Sequence, residues 1–179
     1  MNPLKDKLLD AVEAEFRYYK KIAEDAIGQI SWQHMQEAPA GGLNSIAVIM
    51  KHMAGNLRSR WTDFLTSDGE KPWRNREQEF INDLAGRDEL MGRWEEAWET
   101  LFETLRGLRE ADLEATVTIR TQPVTVSRAL VRQVGHYGYH TGQILLIART
   151  FAGPAWRFLS IPPGGSKAFN ASMRARPGA

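Results

Sequence analysis

The sequence predicts an all-α protein built as a four-helix bundle. Three observations carry this. Four long stretches place apolar residues three and four positions apart, the repeat of a helix with one buried face. Breakers bound those stretches: Pro39, Gly41 and Gly42 between the first and second, Gly69 and Pro72 between the second and third, and Gly153 and Pro154 after the fourth. The one β-branched segment is long enough only for a hairpin. With 179 residues, 42% of them hydrophobic, the chain suits a single globular domain spanning positions 1–179.

The first helix is read over residues 3–28. Pro3 suits the first turn, and Leu4, Leu8, Val12, Phe16, Tyr19, Ile22, Ala23, Ala26 and Ile27 form its apolar stripe. Residues 30–42 read as a connection holding Trp32 and His34. The second helix starts at Asn44 or Ser45, either a good N-cap, and runs to about residue 67. Its core residues are Ile46, Ile49, Met50, Met53, Leu57, Trp61, Phe64 and Leu65, and His52 lies among them.

The charged segment from Glu70 to Phe80 is too long for a tight turn, so it reads as a crossover. The third helix covers residues 88–107, with Asp88 and Glu89 at the positive end of its dipole. Residues 116–120 and 124–126 are β-branched and read as a hairpin with Thr121, Gln122 and Pro123 between the strands. Such a hairpin is weak alone and must lean on the helices.

Thr125 or Ser127 caps the fourth helix, which runs to Phe151. After Gly153 and Pro154 a C-terminal tail, residues 154–179, docks through Trp156, Phe158, Leu159 and Ile161. Its last residues read as loop and loose end.

Twenty-three basic and 22 acidic residues leave a formal charge of +1, so no global field favours nucleic acid or an anionic membrane. No cysteine is present, which excludes disulfides, thiolate metal sites and a cysteine nucleophile. No apolar run has membrane-spanning length. The N-terminus is polar, without a signal-peptide core, and the expected location is cytoplasmic.

The fourth helix carries the chemistry. His136 and His140 are four apart, on one face, about 6 Å from each other along the axis. Their line runs through Ala129, Gln133, Ile147 and Phe151, so both imidazoles point to the packed side. Such a pair can share a metal ion, or it can be two buried histidines with ordinary hydrogen bonds. Tyr137 stands where a zinc protease has its glutamate, which argues against that class. Only four histidines exist. His34 lies among loop residues, so His52 is the remaining candidate for a third ligand if the second helix faces the fourth.

His52 in Lys51-His52-Met53-Ala54-Gly55-Asn56, and His136 and His140 in Gly135-His136-Tyr137-Gly138-Tyr139-His140-Thr141-Gly142-Gln143, resemble the DinB/YfiT-like superfamily of four-helix-bundle metalloenzymes. The segments from Asp68 to Arg74 and from Ser166 to Asn170 also resemble one uncharacterised subgroup of it. The resemblance implies an up-down-down-up bundle and a metal site of His52, His136 and His140, often in a homodimer. It also implies relatives that are thiol-dependent S-transferases or isomerases.

Three imidazoles suit zinc or nickel, with iron an alternative, and three protein ligands leave positions open for an exogenous group. Two functional classes follow. One is an enzyme acting on a small-molecule substrate, with a low-molecular-weight thiol as cosubstrate or with activated water. The other is a metal-binding stress or interaction protein without a reaction. Asn56, Arg60, Gln133 and Tyr137 are the candidate substrate contacts, and no residue is assigned a catalytic role. Gly135, Gly138 and Gly142 form a stripe roughly 145° from the histidine line. Together with Val131 and Leu146 it is expected to meet a second copy, unless the hairpin or the tail covers it.

Overall fold

The computed structural model describes the backbone of residues 3–175 and the side chains from Leu8 to Ala175. The packing expected of Leu4 and the end of the tail, residues 176–179, lie outside these described residues. Six α-helices and one two-stranded antiparallel sheet make up the described chain. They are α1 (Pro3–Ile27), α2 (Trp32–Gln36), α3 (Ile46–Trp61), α4 (Arg87–Gly107), β1 (Thr116–Ile119), β2 (Gln122–Thr125), α5 (Val126–Ala152) and α6 (Ser166–Arg174).

The four long helices form where the apolar repeat places them. α1 packs along α5, α3 packs along α4, and lighter contacts join α3 to α5 and α1 to α4. Aromatic side chains fill the middle. Phe16 of α1 lies 6.2 Å from Trp61 of α3, 6.4 Å from Trp98 of α4 and 5.5 Å from Tyr137 of α5, all at tilted or edge angles. These are separations at which offset rings attract one another beyond their apolar burial. Caps hold the starts of α3 and α5. Ser45 Oγ accepts from the Val48 amide, and Thr125 Oγ1 accepts from the Arg128 amide.

Several boundaries differ from the sequence reading. α3 ends at Trp61, six residues early, because the chain turns through Asp63 in the left-handed region (φ 48°). The connection before α3 holds the short α2, whose first turn is closed by Ser31 Oγ accepting from the His34 amide. The imidazole of His34 stacks on Phe151 at 5.1 Å. The hairpin turns at Arg120 and Thr121, both left-handed, so Gln122 and Pro123 lie inside β2, where Pro123 pairs with Thr118. In the tail, Trp156 and Leu159 pack against the core while Phe158 and Ile161 are exposed. The segment read as loop becomes α6, which buries no residue.

The hairpin leans on the crossover. The Asp68 carboxylate accepts from the amides of Glu70, Arg120 and Thr121 at 2.6–2.9 Å, and the Gly69 amide donates to Thr118 O at 2.9 Å. One carboxylate therefore satisfies both left-handed turn residues. These three amides hold the Asp68 carboxyl below its usual range against the opposing effect of burial. Asp68→Ala is expected to destabilise the fold by about 1–2 kcal/mol, the low end for charge-assisted bonds because the group is half-solvated. Urea unfolding at neutral pH checks this.

Beyond Asp68 the crossover runs back along α3. Ser59 Oγ donates to Gly69 O and accepts from the Lys71 amide. Further on, Lys51 Nζ donates to the carbonyls of Gln78 and Ile81 and pairs with Asp83. The segment that ends on a short 3-10 turn (Glu77–Phe80) is thus fastened to α3 at both of its ends.

Candidate metal centre

His52 of α3 and His136 and His140 of α5 come together, with one ring nitrogen from each within 4.8 Å of the others. His52 is buried, while His136 and His140 are half-buried, so the cluster has an inner wall and a more open side on α5. His136 Nε2 lies 3.1 Å from His140 Nε2. Metal–nitrogen bonds of ~2.0–2.1 Å would put two ligands of one ion roughly 3.0–3.4 Å apart, so this pair has the spacing of co-ligands.

The outer nitrogens show which atoms face inward. His52 Nδ1 donates to Glu79 Oε2 at 2.8 Å, and His140 Nδ1 donates to Gln143 Oε1 at 2.8 Å. Each bond fixes the proton on Nδ1 and leaves the Nε2 lone pair for the cluster. Gln143 is itself oriented by donating to Tyr139 Oη at 3.0 Å. His136 Nδ1 is buried without a partner among the described residues. The His52 ring is stacked on Phe80 at 4.8 Å, which fixes its plane.

Burial pushes the His136 imidazole down to about 3, with further lowering from His140, His52, Arg60 and Arg132. Burial also lowers His140, against the bond to Gln143, with a smaller push from His52. Both rings are therefore neutral near pH 7, the form that binds metals. The donor set fits a divalent first-row ion and could hold one.

Glu79 is the residue that sequence reasoning missed. It is buried, and besides His52 it takes a two-pronged ion pair from Arg74, with Nε to Oε1 at 2.8 Å and Nη2 to Oε2 at 2.9 Å. Burial alone would raise the Glu79 carboxyl; His52 and Arg74 outweigh that and hold it below its ordinary range. Gly55 makes the approach possible, because a Cβ there would lie 2.2 Å from Glu79 Oε1. A glycine inside a helix costs about 1 kcal/mol. Gly55, three residues after a candidate ligand, was the one sequence signal that something packs there.

The four candidate substrate contacts divide. Tyr137 Oη donates to Asn56 Oδ1 at 3.1 Å and accepts from Trp61 Nε1 at 3.0 Å and from Gln133 Nε2 at 2.8 Å. Gln133 Nε2 also donates to Asn56 Oδ1 at 2.9 Å. Asn56, Gln133 and Tyr137 thus form a buried network, joined through Asn56 Oδ1, Gln133 Nε2 and Tyr137 Oη, one turn from the histidines. Burial raises the Tyr137 hydroxyl, which stays protonated. Arg60 stands apart. It is 4% exposed, and its Nε and Nη1 have no partner among the described residues. In the glycine stripe, Gly138 faces Tyr19 of α1, whose ring a Cβ would meet at 3.1 Å, whereas Gly135 and Gly142 face open space.

The family model described as "Protein of unknown function (DUF1572)" matches residues 4–165. The chain belongs to the DUF1572 family. Its family match takes in all four long helices and the three histidines. No curated protein matches the sequence. Among solved structures, the chain is similar to one described as a conserved protein from Enterococcus faecalis. The two share 17% identity at a TM-score of 0.61, over 79% of this chain and 95% of that one. At that identity the likeness concerns the fold. No helix among the described residues is long and apolar enough to cross a membrane.

Proposed function

We propose that this DUF1572 protein is a divalent-metal-dependent enzyme of the DinB-like kind, an up-down-down-up four-helix bundle in one domain, acting in the cytoplasm. The observation that carries the reading is the convergence of three ring nitrogens, two of them oriented through Nδ1 by Glu79 and Gln143. The helix pairing of α1 with α5 and α3 with α4 supports the bundle. His52, His136 and His140 would hold the ion, with zinc or nickel favoured and iron the alternative. Three ligands leave room for an exogenous group, as in catalytic sites.

The ion would supply Lewis acidity, lowering the pKa of a thiol or water bound to it. The chain has no cysteine, so a thiol must arrive as a low-molecular-weight cosubstrate, and the reaction class is an S-transfer or an isomerisation. The residues do the rest. Glu79 and Gln143 keep the protons of their histidines on Nδ1, and the Asn56–Gln133–Tyr137 network holds a rigid floor beside the cluster. That network also favours a second reading, a metal-binding protein without a reaction, because Asn56 Oδ1, Gln133 Nε2 and Tyr137 Oη bond to one another.

Metal-loaded protein incubated with a panel of small thiols and an electrophile separates the two. Turnover that is lost on chelation supports the enzyme, and stoichiometric metal without turnover supports the binding module. A homodimer through the exposed face of α5, which carries Val131, Tyr139 and Leu146, belongs to the same proposal. Light scattering is expected to give twice the chain mass, and a folded monomer ends that part of it.

A further inference from the structure

A cavity of about 390 Å³ opens between α3, α4 and the crossover, apart from the metal centre. Small-molecule sites run from about 300 to 1,000 Å³, so the size is suitable. None of the three histidines lines it. Glu79 does, and the cavity and the histidine cluster therefore share that carboxylate.

Ala54 and Ala97, both buried, form an inner wall with Gly55 beside them. These residues are too small to fill the gap between the helices, and they leave an apolar surface. On the rim, Trp73 is 52% exposed although the Arg58 guanidinium lies over its ring at 5.0 Å. An open indole in a cavity lining offers a flat surface on which a second ring can stack.

The polar groups of the lining are mostly donors. An arginine has five N–H groups. Three of those on Arg74 hold Glu79 and Glu70, which leaves two without an acceptor among the described residues. The Arg74 side chain is only 2% exposed, and buried donors left unbonded are costly. Asn75 Oδ1 accepts from the Gln78 amide, which leaves the Asn75 side-chain NH2 to donate. Arg58 has no carboxylate partner among the described residues, and Arg93 holds Glu89 at the surface. Lys51 is spent on two carbonyls and Asp83. Acceptors are fewer. Glu79 is taken by His52 and Arg74, and the other lining carboxylate, Glu96, is exposed.

We infer that this cavity is a second binding site, which takes a small organic anion with a flat apolar body. Its carboxylate or phosphate group meets Arg58 and the spare N–H groups of Arg74, a match for planar guanidinium donors. Its body lies between the Trp73 ring and the alanine wall. The site does not depend on the ion.

The test follows the Trp73 indole N–H signal by NMR in full-length protein, with the signal assigned from Trp73→Phe. Benzoate and phenyl phosphate are titrated against benzamide, which has the same ring and no charge, and against acetate, which has no ring. A chelator is present throughout, with the fold checked by circular dichroism, so that an anion on a metal ion cannot mimic the result. At least one aromatic anion is expected to bind about tenfold or more tightly than benzamide, the range of a charge-assisted bond. The tighter of the two identifies the head group. In Arg58→Met, which removes an exposed side chain, this preference should fall severalfold while benzamide binds as before. Equal binding of benzamide and both anions by the wild type overturns the site, as does a Trp73 signal that no probe moves. A preference kept in full by folded Arg58→Met overturns the role of Arg58, and acetate as tight as benzoate overturns the flat body. Because no metal takes part, none of these outcomes bears on the three-histidine centre.

Discussion

Replacing His140 with alanine is expected to lower metal affinity by at least about 100-fold, beyond what loss of a group that merely orients a ligand costs. The chain should still fold, because the His140 side chain is half-buried and, among the described residues, hydrogen-bonds to Gln143 and His136, with an edge-on ring contact to His52. A zinc titration followed by thermal melting makes the contrast sharp. At a hundredfold excess over the dissociation constant, the ion should stabilise the wild type by about 2.7 kcal/mol and His140→Ala by nothing measurable. Metal analysis of the purified proteins gives an independent count. Equal zinc content in both would remove His140 from the ligand set.

Glu79→Ala should have the largest effect on stability, about 3 kcal/mol, because it takes the two-pronged partner from the buried Arg74 guanidinium, leaving it only the 3.3 Å contact with Glu70, and frees the His52 ring. Metal affinity should fall by about 10–100-fold at the same time, as for other partners of ligating histidines. The pH dependence has a definite sign. The folded Glu79 carboxyl titrates lower than an unfolded glutamate, so its contribution is complete above the ordinary value of about 4.3 and is lost as the pH falls through the lower folded value. The gap between wild type and Glu79→Ala should therefore be widest near neutrality and close in acid. A gap that widens on acidification would mean that the carboxylate is not what holds this corner together. Urea unfolding of both proteins from pH 3 to pH 7 provides the comparison.

The four long helices were legible in the sequence because each buries one face, and burial imposes a repeat that the spacing of apolar residues shows. The caps were narrowed to two candidates each, Asn44 or Ser45 and Thr125 or Ser127, and the structure uses Ser45 and Thr125. The pairing of His136 with His140 was legible too, since helix geometry turns a spacing of four into one face. What could not be read are relations across the chain. Glu79 looked like one more charge in a charged run, and nothing local says that it reaches His52. Arg60 looked like a polar neighbour on an adjacent turn, and only packing shows that its Nε and Nη1 are left without a partner among the described residues. The short α2 and the exposed α6 were lost among breakers and charges because neither carries a long apolar stripe. Asp63, Arg120 and Thr121 adopt left-handed backbone without being glycine, so the turns they make were displaced or missed.

The pairing of helices gives the three histidines a mechanical role as well. Most of the packing falls within two pairs, α1 with α5 and α3 with α4, and the seam between the pairs is lighter. His52 stands on one side of that seam, and His136 and His140 on the other. An ion held by all three would be a removable rivet between the two halves, closing a loop that spans nearly half the chain. Stripping it should raise hydrogen exchange and protease cutting along the seam first, before either pair melts. The lifetime of the protein would then follow its metal supply.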